Sequence, residues 1–130
     1  LTLAKSLSEN NKYHSEAFNF GPHANQNYSV REIIDEMANH WSQVRWDDTS
    51  QSQKQLHEAG LLKLNCDKAL SELHWQPALE FDETVKMTVE WYKLYYENKL
   101  SSMSDFTLNQ IQDFTKLATD RKILWSMADD

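Results

Sequence analysis

Glycine is scarce in this chain, and its scarcity limits the turns and ligand sites that the sequence can form. Only Gly21 and Gly60 occur among 130 residues. A Gly-x-Gly-x-x-Gly turn for a dinucleotide and a Gly-rich phosphate loop both need more glycines at closer spacing. Neither motif is therefore present. The strand-then-glycine signal is Glu-Ala-Phe-Asn-Phe-Gly-Pro at residues 16–22, an aromatic run that ends in a Gly-Pro turn.

Helical periodicity dominates the rest of the chain. Helices are predicted near residues 29–42, 67–74, 82–98 and 107–121, after an opening segment in which Leu3 and Leu7 share a helical face. Short strands are predicted near residues 16–21, 44–46 and 61–66. The expected fold class is therefore α/β, dominated by helices. The acidic end, residues 122–130, is expected to be a disordered tail.

Four positions carry signals for helix starts. Ser29 followed by Glu32 and Thr107 followed by Gln110 have the spacing of capping boxes, in which each side chain satisfies a free amide of the first turn. Asp67 and Asp82 are placed as N-caps of the third and fourth helices. These signals predict where four of the helices begin.

Charge and composition exclude several classes of partner. A net charge of −7 argues against a general nucleic-acid or anionic-membrane surface, because such surfaces need an excess of Lys and Arg. No apolar run is long enough to span a bilayer, and a single cysteine, Cys66, cannot form an internal disulfide. We therefore expect a cytoplasmic location. The first residues lack an initiator Met and begin in helical register, which suggests a piece of a longer protein.

Most residues whose side chains could take part in catalysis or ligand binding also have a structural explanation. The five histidines do not have the spacing of a zinc site, so no metal site is predicted. Cys66 lies in an apolar segment and is interpreted as a packed thiol. The aromatic residues Trp91, Tyr92, Tyr95 and Tyr96 recur at helical spacing and are predicted to pack inward.

His57 and Glu58 differ, because they lie between the polar run 47–55 and a predicted strand, where binding residues are often displayed. Glu58 has the chemistry to accept both hydroxyls of a ribose, while His57, Lys54 and Lys63 offer local positive charge or donors for a phosphate. The competing interpretation is a solvated loop end. The candidate binding residues are His57, Glu58 and Lys63.

Several segments together are similar to one family. Residues 16–22 (EAFNFGP), 29–37 (SVREIIDEM), 57–77 (HEAGLLKLNCDKALSELHWQP), 88–98 (TVEWYKLYYEN) and 108–114 (LNQIQDF) occur in this order. Their order and spacing resemble the C-terminal part of the CDP-glucose 4,6-dehydratases, which are extended short-chain dehydrogenase/reductase enzymes. The resemblance covers nearly the whole chain.

The resemblance implies a function for a longer parent enzyme. Members of the family are lyases that remove water from CDP-D-glucose to give the 4-keto-6-deoxy sugar, using a tightly held NAD, and they supply bacterial surface polysaccharide. Their Rossmann NAD domain and catalytic residues lie in the N-terminal part, which has no match here. Residues 1–130 would then form a single C-terminal substrate-binding segment with no catalytic, cofactor-binding or metal residues, inactive by itself.

Individual residues can be compared with a related family, the GDP-mannose 4,6-dehydratases. There a glutamate ten residues before the lysine of a Lys-Ala helix holds the nucleotide ribose, and Glu58 stands ten before Lys68. An arginine that contacts the nucleotide in those enzymes is replaced here by Gln55. His74 stands where a glycine is usual, which implies backbone strain if that site has positive φ.

Alternatives remain open on the sequence. The same enzyme class could act on a GDP- or dTDP-sugar, or the chain could be a helical protein-interaction module without enzymatic activity. A homodimer is compatible with each of these readings. Expected partners under the first reading are a nucleotide-sugar substrate, with no nucleic acid and no membrane.

Overall fold

The computed structural model describes residues 1–47, 64–97 and 102–127, and every structural statement below concerns these ranges. They contain five α-helices: α1 (Thr2–Glu9), α2 (Val30–His40), α3 (Asp67–Leu73), α4 (Phe81–Tyr96) and α5 (Met103–Asp120). A short 3-10 helix, Leu124–Ser126, follows. None of the helices in the described ranges has both the length and the apolar character needed to cross a bilayer.

The predicted α/β class is wrong for the described part of the chain, which is helical and contains no strand. Residues 16–21 and 44–46 carry no strand hydrogen bonding, and neither do residues 64–66 of the third predicted strand. Residues 61–63 of that strand lie outside the described ranges. The physical reason at residues 16–21 is that the segment is fixed by side chains of α3 and not by the main chain of a neighbouring strand.

The chain divides into two compact units. The first comprises Leu1–Gln26, Leu64–Glu80 and Asn109–Asp130. Its α1 and α3 pack together, with Ala69 and Leu73 of α3 buried. A second buried cluster joins Ala78, Ala118 and Ile123, against which Phe114 packs.

The second unit comprises Asn27–Lys63 and Phe81–Leu108, and its described core is the pairing of α2 with α4. Val85 and Val89 of α4 are buried, and Val89 is completely enclosed. Tyr28 stacks on Phe81 at one end of the pair, with ring centroids 3.6 Å apart. Lys93 Nζ donates a hydrogen bond to the main-chain oxygen of His40 at the C-terminus of α2.

The aromatic residues of α4 only partly follow the inward packing predicted for them. Trp91 is half-buried and its Nε1 donates to Thr107 Oγ1 at 2.9 Å. Tyr92, Tyr95 and Tyr96 are 45%, 51% and 65% exposed. Their rings contact one another and the two neighbouring tryptophans, Trp41 and Trp91. The inward-packing prediction is therefore wrong for the three tyrosines.

The predicted helix starts have mixed outcomes. The capping box at Ser29 and Glu32 is confirmed at the start of α2. Asp67 and Asp82 lie within the first turns of α3 and α4, so neither is the N-cap. The capping box at Thr107 is wrong, because α5 begins at Met103 and Thr107 Oγ1 donates to Met103 O inside the helix.

Candidate functional site

The predicted binding residues His57, Glu58 and Lys63 lie between residues 48 and 63, outside the described ranges, as does Lys54. The structure therefore neither brings them together nor separates them. It does describe the chain immediately after them, which runs through residues 64–66 into α3. The contacts of this following segment are the structural framework next to the candidate site.

Asn65 organises the turn that leads into α3. Its side-chain oxygen accepts a hydrogen bond from Asp67 N at 2.8 Å, and its Nδ2 donates to Asp67 Oδ2 at 3.0 Å. Asn19 Nδ2 in turn donates to the main-chain oxygen of Asn65 at 3.2 Å. The first turn of α3 is thus attached both to its own sequence neighbours and to residues 16–21.

Lys68 uses its ammonium group within the chain. Its Nζ donates to Glu16 Oε2 at 2.6 Å and to Ala17 O at 3.0 Å, and it lies 4.6 Å from the centroid of the Phe18 ring. The ammonium group of a lysine can donate hydrogen bonds and make a cation–π contact. The carboxylate, the carbonyl and the aromatic face together account for most of these interactions. The lysine of the Lys-Ala helix therefore has a structural role here.

A second ion pair lies one turn further along α3. Lys12 Nζ donates to Glu72 Oε2 at 2.7 Å and to Tyr13 OH at 3.1 Å, and Tyr13 OH donates to the main-chain oxygen of Glu72 at 2.7 Å. The hydrogen bond from Lys12 lowers the pKa of the Glu72 carboxyl below its usual value, and the same bond raises the pKa of Lys12. Both groups are therefore charged at neutral pH.

Aromatic rings connect these residues to the end of α3. Tyr13 meets Phe18 edge to face, Phe18 stacks on Phe20, and Phe20 meets the edge of Trp75 at a centroid distance of 4.9 Å. Such contacts favour one arrangement of the rings beyond the burial of their surface. The residues that contact α3 are thus held by the ion pairs of Lys12 and Glu16 and by the ring contacts from Tyr13 to Phe20.

The described residues do not form a metal site, since no group of three His, Cys, Asp or Glu side chains in them is placed to hold an ion. His40 Nε2 lies 3.0 Å from Glu36 Oε1, one turn apart on α2. Cys66 is half-buried, and a methyl group built on Gly21 would lie 3.5 Å from its Sγ. The ion pairs and ring contacts of the described residues hold chain segments together.

Sequence reasoning missed the pairing of residues 12–16 with α3. The partners are 52 and 60 positions apart, so no local periodicity reports them. A signal does exist: Lys12 and Glu16 repeat the spacing and order of Lys68 and Glu72. Two segments with the same Lys-x-x-x-Glu pattern form two opposite-charge pairs when they run antiparallel.

Comparison with known proteins gives one informative similarity. No family model matches the chain, and no solved structure matches it. Over 122 residues, which are 92% of the chain, it is 30% identical to a protein of Salmonella typhimurium. That protein is a CDP-glucose 4,6-dehydratase. The match covers 32% of the dehydratase, so the chain spans about a third of the relative's length.

Proposed function

We propose that this chain is the substrate-binding C-terminal portion of a nucleotide-sugar dehydratase, one that converts CDP-D-glucose to CDP-4-keto-6-deoxy-D-glucose for bacterial surface polysaccharide. The observation that carries the proposal is the similarity to a CDP-glucose 4,6-dehydratase along 92% of the chain. The segments from residues 16–22 to 108–114, in their order and spacing, support the same assignment. The proposed location is the cytoplasm.

The residues of this chain do not fit an NAD site. With two glycines in 130 residues, it has no Gly-rich turn for a dinucleotide pyrophosphate. We therefore assign NAD, and the acid and base for dehydration, to the remainder of a full-length parent enzyme. This chain by itself is expected to bind substrate weakly and to be catalytically inactive, because half of a pocket formed between two lobes is missing.

Within the proposal, Glu58 accepts hydrogen bonds from the two ribose hydroxyls, and His57 and Lys63 face the diphosphate. A carboxylate presents two acceptor oxygens, which matches a vicinal diol, and cationic donors bind phosphate oxygens through charge-assisted hydrogen bonds. Local cations are needed because the chain as a whole carries a net charge of −7.

Titration of the 130-residue chain with CDP, followed by two-dimensional NMR, tests these roles. We expect binding at millimolar CDP, and the Glu58→Gln variant should lose about tenfold in affinity, because a hydrogen bond to a charged group is worth about 1.5 kcal/mol or more. Glu9→Gln is the matched control, because among the described residues Glu9 pairs with Lys5, in an exposed contact of 3.9 Å. Equal affinity of Glu58→Gln and the control would contradict the role of Glu58.

The activity is tested on the complete protein that the gene encodes. Incubation with CDP-D-glucose should produce a new methyl signal in the proton NMR spectrum, because dehydration turns the hydroxymethyl group at C6 into a methyl group. GDP- and dTDP-sugars tested in parallel distinguish the nucleotide. A complete protein that leaves all three substrates unchanged would refute the enzyme assignment.

A second candidate is a helical protein-interaction module. The exposed Tyr92, Tyr95 and Tyr96 of α4 favour it, because contiguous exposed aromatic surface is typical of interaction sites. The CDP titration separates the candidates. A chain that shows no shift at millimolar CDP, while the complete protein is also inactive, would favour the interaction module.

A further inference from the structure

Residues 12–21, here called the strap, cross α3 with matched charges. Lys12 pairs with Glu72 and Glu16 pairs with Lys68, at 2.7 Å and 2.6 Å. Lysine precedes glutamate by four residues on both segments, so the antiparallel crossing places each cation against an anion. A parallel crossing would instead place lysine against lysine and glutamate against glutamate.

Every hydrogen bond that joins the strap to residues 64–75 involves at least one side chain. The main-chain amides of residues 17–21 have no acceptor among the described residues. Ala17 O accepts from Lys68, and Asn19 donates its side-chain amide to Asn65. Ser15, which lies between Lys12 and Glu16, has a φ of 66°, a left-handed conformation that is unfavourable for a residue with a Cβ.

The free energy that the two ion pairs contribute to holding the strap is small. The four paired side chains are between 40% and 63% exposed, and exposed ion pairs contribute little net stability, which salt reduces further. Segments with few buried contacts and unpaired main-chain groups open locally, below the free energy of global unfolding. The strap has both properties, while Ala69 and Leu73 of α3 are buried and α3 also packs against α1.

We propose that the strap is an electrostatic clasp that detaches from α3 as a unit while the helix stays folded, and that its detachment uncovers Cys66. Gly21 at the end of the strap lies beside Cys66, since a methyl group built on Gly21 would lie 3.5 Å from Cys66 Sγ. Both charge pairs and the rings of Phe18 and Phe20 move together in this opening. The clasp is a conformational device that is independent of the proposed enzymatic function.

Charge-reversal variants of identical composition test the proposal. K12E/E16K reverses the strap, K68E/E72K reverses α3, and the fourfold variant reverses both. All keep the net charge of the natural chain. Each half-reversed variant sets like charges opposite one another, while the fourfold variant restores both opposite-charge pairs. The α3 reversal also places glutamate before lysine, the order that favours a helix, so a weakened strap cannot be ascribed to a weakened helix.

The measurement is the rate at which N-ethylmaleimide labels Cys66 under native conditions, divided by the rate in urea. We expect labelling at least about fivefold faster in both half-reversed variants than in the natural chain, and a return towards the natural rate in the fourfold variant. Sodium chloride should speed labelling of the natural and fourfold chains and slow it in the half-reversed ones, because it screens attraction in the former and repulsion in the latter.

The control is K5E/E9K, which reverses the i, i+4 pair of α1 without touching the strap and should label at the natural rate. Circular dichroism at 222 nm gives the thermal midpoint of each variant. Equal labelling rates in all chains would overturn the proposal. So would labelling that rises only in proportion to the loss of global stability, because the strap would then open only when the unit unfolds.

Discussion

His74 occupies a backbone conformation that favours glycine. It ends α3 with φ 49° and ψ 29°, and the main-chain N–H groups of His74 and Trp75 both donate to Ala69 O. The family resemblance implied a glycine at this position and predicted strain if φ were positive. The φ of His74 is positive in the structure, so its Cβ lowers the stability of this helix end.

Replacing His74 by glycine should stabilise the first unit. The gain of about 0.5–1 kcal/mol comes from removing the Cβ in the left-handed region, partly offset by the greater freedom of glycine in the unfolded chain. The free energy of unfolding in urea measures it. His14 is the control, because it is an exposed histidine without positive φ, and His14→Gly should not stabilise the chain. Destabilisation by His74→Gly would mean that the imidazole makes an interaction worth more than the strain.

At the scale of one element, α2 illustrates a helix start that can be predicted from four residues. Ser29 N and Oγ both donate to Glu32 Oε2 at 2.7 Å, and Glu32 N donates to Ser29 Oγ at 3.3 Å. The hydrogen bonds from the Ser29 hydroxyl and amide lower the pKa of the Glu32 carboxyl. The box therefore works with an ionised glutamate.

Ser29→Ala should cost about 1 kcal/mol of stability at neutral pH, because the first turn of α2 loses its cap. Because the folded pKa of Glu32 is lowered, its contribution is present above the unfolded pKa of about 4.5 and is lost as the pH falls through the folded value. The difference between the natural chain and Ser29→Ala should therefore shrink in acid. Urea unfolding at pH 7 and pH 3 measures it, with exposed Ser42→Ala as the control. A difference that is independent of pH would contradict the coupled box.

The features that could not be predicted from the sequence depend on partners that are far away along the chain. Thr107 followed by Gln110 has the same spacing as Ser29 followed by Glu32, but α5 starts four residues earlier and Thr107 accepts a hydrogen bond from Trp91 on α4. Residues 16–21 look like a strand locally, yet their partners are side chains of α3 about 50 positions away. The local sequence pattern predicted where the helices lie, but it did not predict which segments contact each other.

At the scale of the whole molecule, the buried core that the described ranges provide is thin. The buried hydrophobic residues in the described ranges are Ala69, Leu73, Ala78, Val85, Val89, Ala118 and Ile123. The largest fully enclosed side chain among them is only that of Val89. With so little buried apolar surface, each core methyl group carries a large share of the stability of its unit.

Val89→Ala should therefore destabilise the second unit by about 2 kcal/mol, because two methyl groups leave a cavity that α2 and α4 only partly close. Val30→Ala is the matched control, since Val30 is 72% exposed and its truncation should change stability by no more than about 0.5 kcal/mol. Thermal unfolding followed by circular dichroism compares the two. Similar midpoints for both variants would show that Val89 is not the centre of the packing.

The candidate site was predicted from its position beside the polar run 47–55 and from side-chain chemistry, and the family resemblance added a specific role for Glu58. Glu58 was singled out because it stands ten residues before Lys68 in the sequence and because a carboxylate can accept hydrogen bonds from a ribose. The structure describes the chain again from residue 64. Neither composition nor periodicity indicated that Lys68 itself is paired with Glu16, because a lysine on a helix looks the same whether it faces solvent or a distant carboxylate. Charge order on two separated segments was the signal that carried this information.

The strap also bears on how the protein behaves at high concentration. Its amides at residues 17–21 have no acceptor among the described residues, its two phenylalanines alternate with asparagine, and no Lys, Arg, Asp or Glu lies between Glu16 and Arg31. A released strap of this kind is a template on which a second chain can form an intermolecular strand pair. Low-salt buffer, which keeps the charge pairs intact, is therefore the condition under which concentrated solutions should remain free of aggregates.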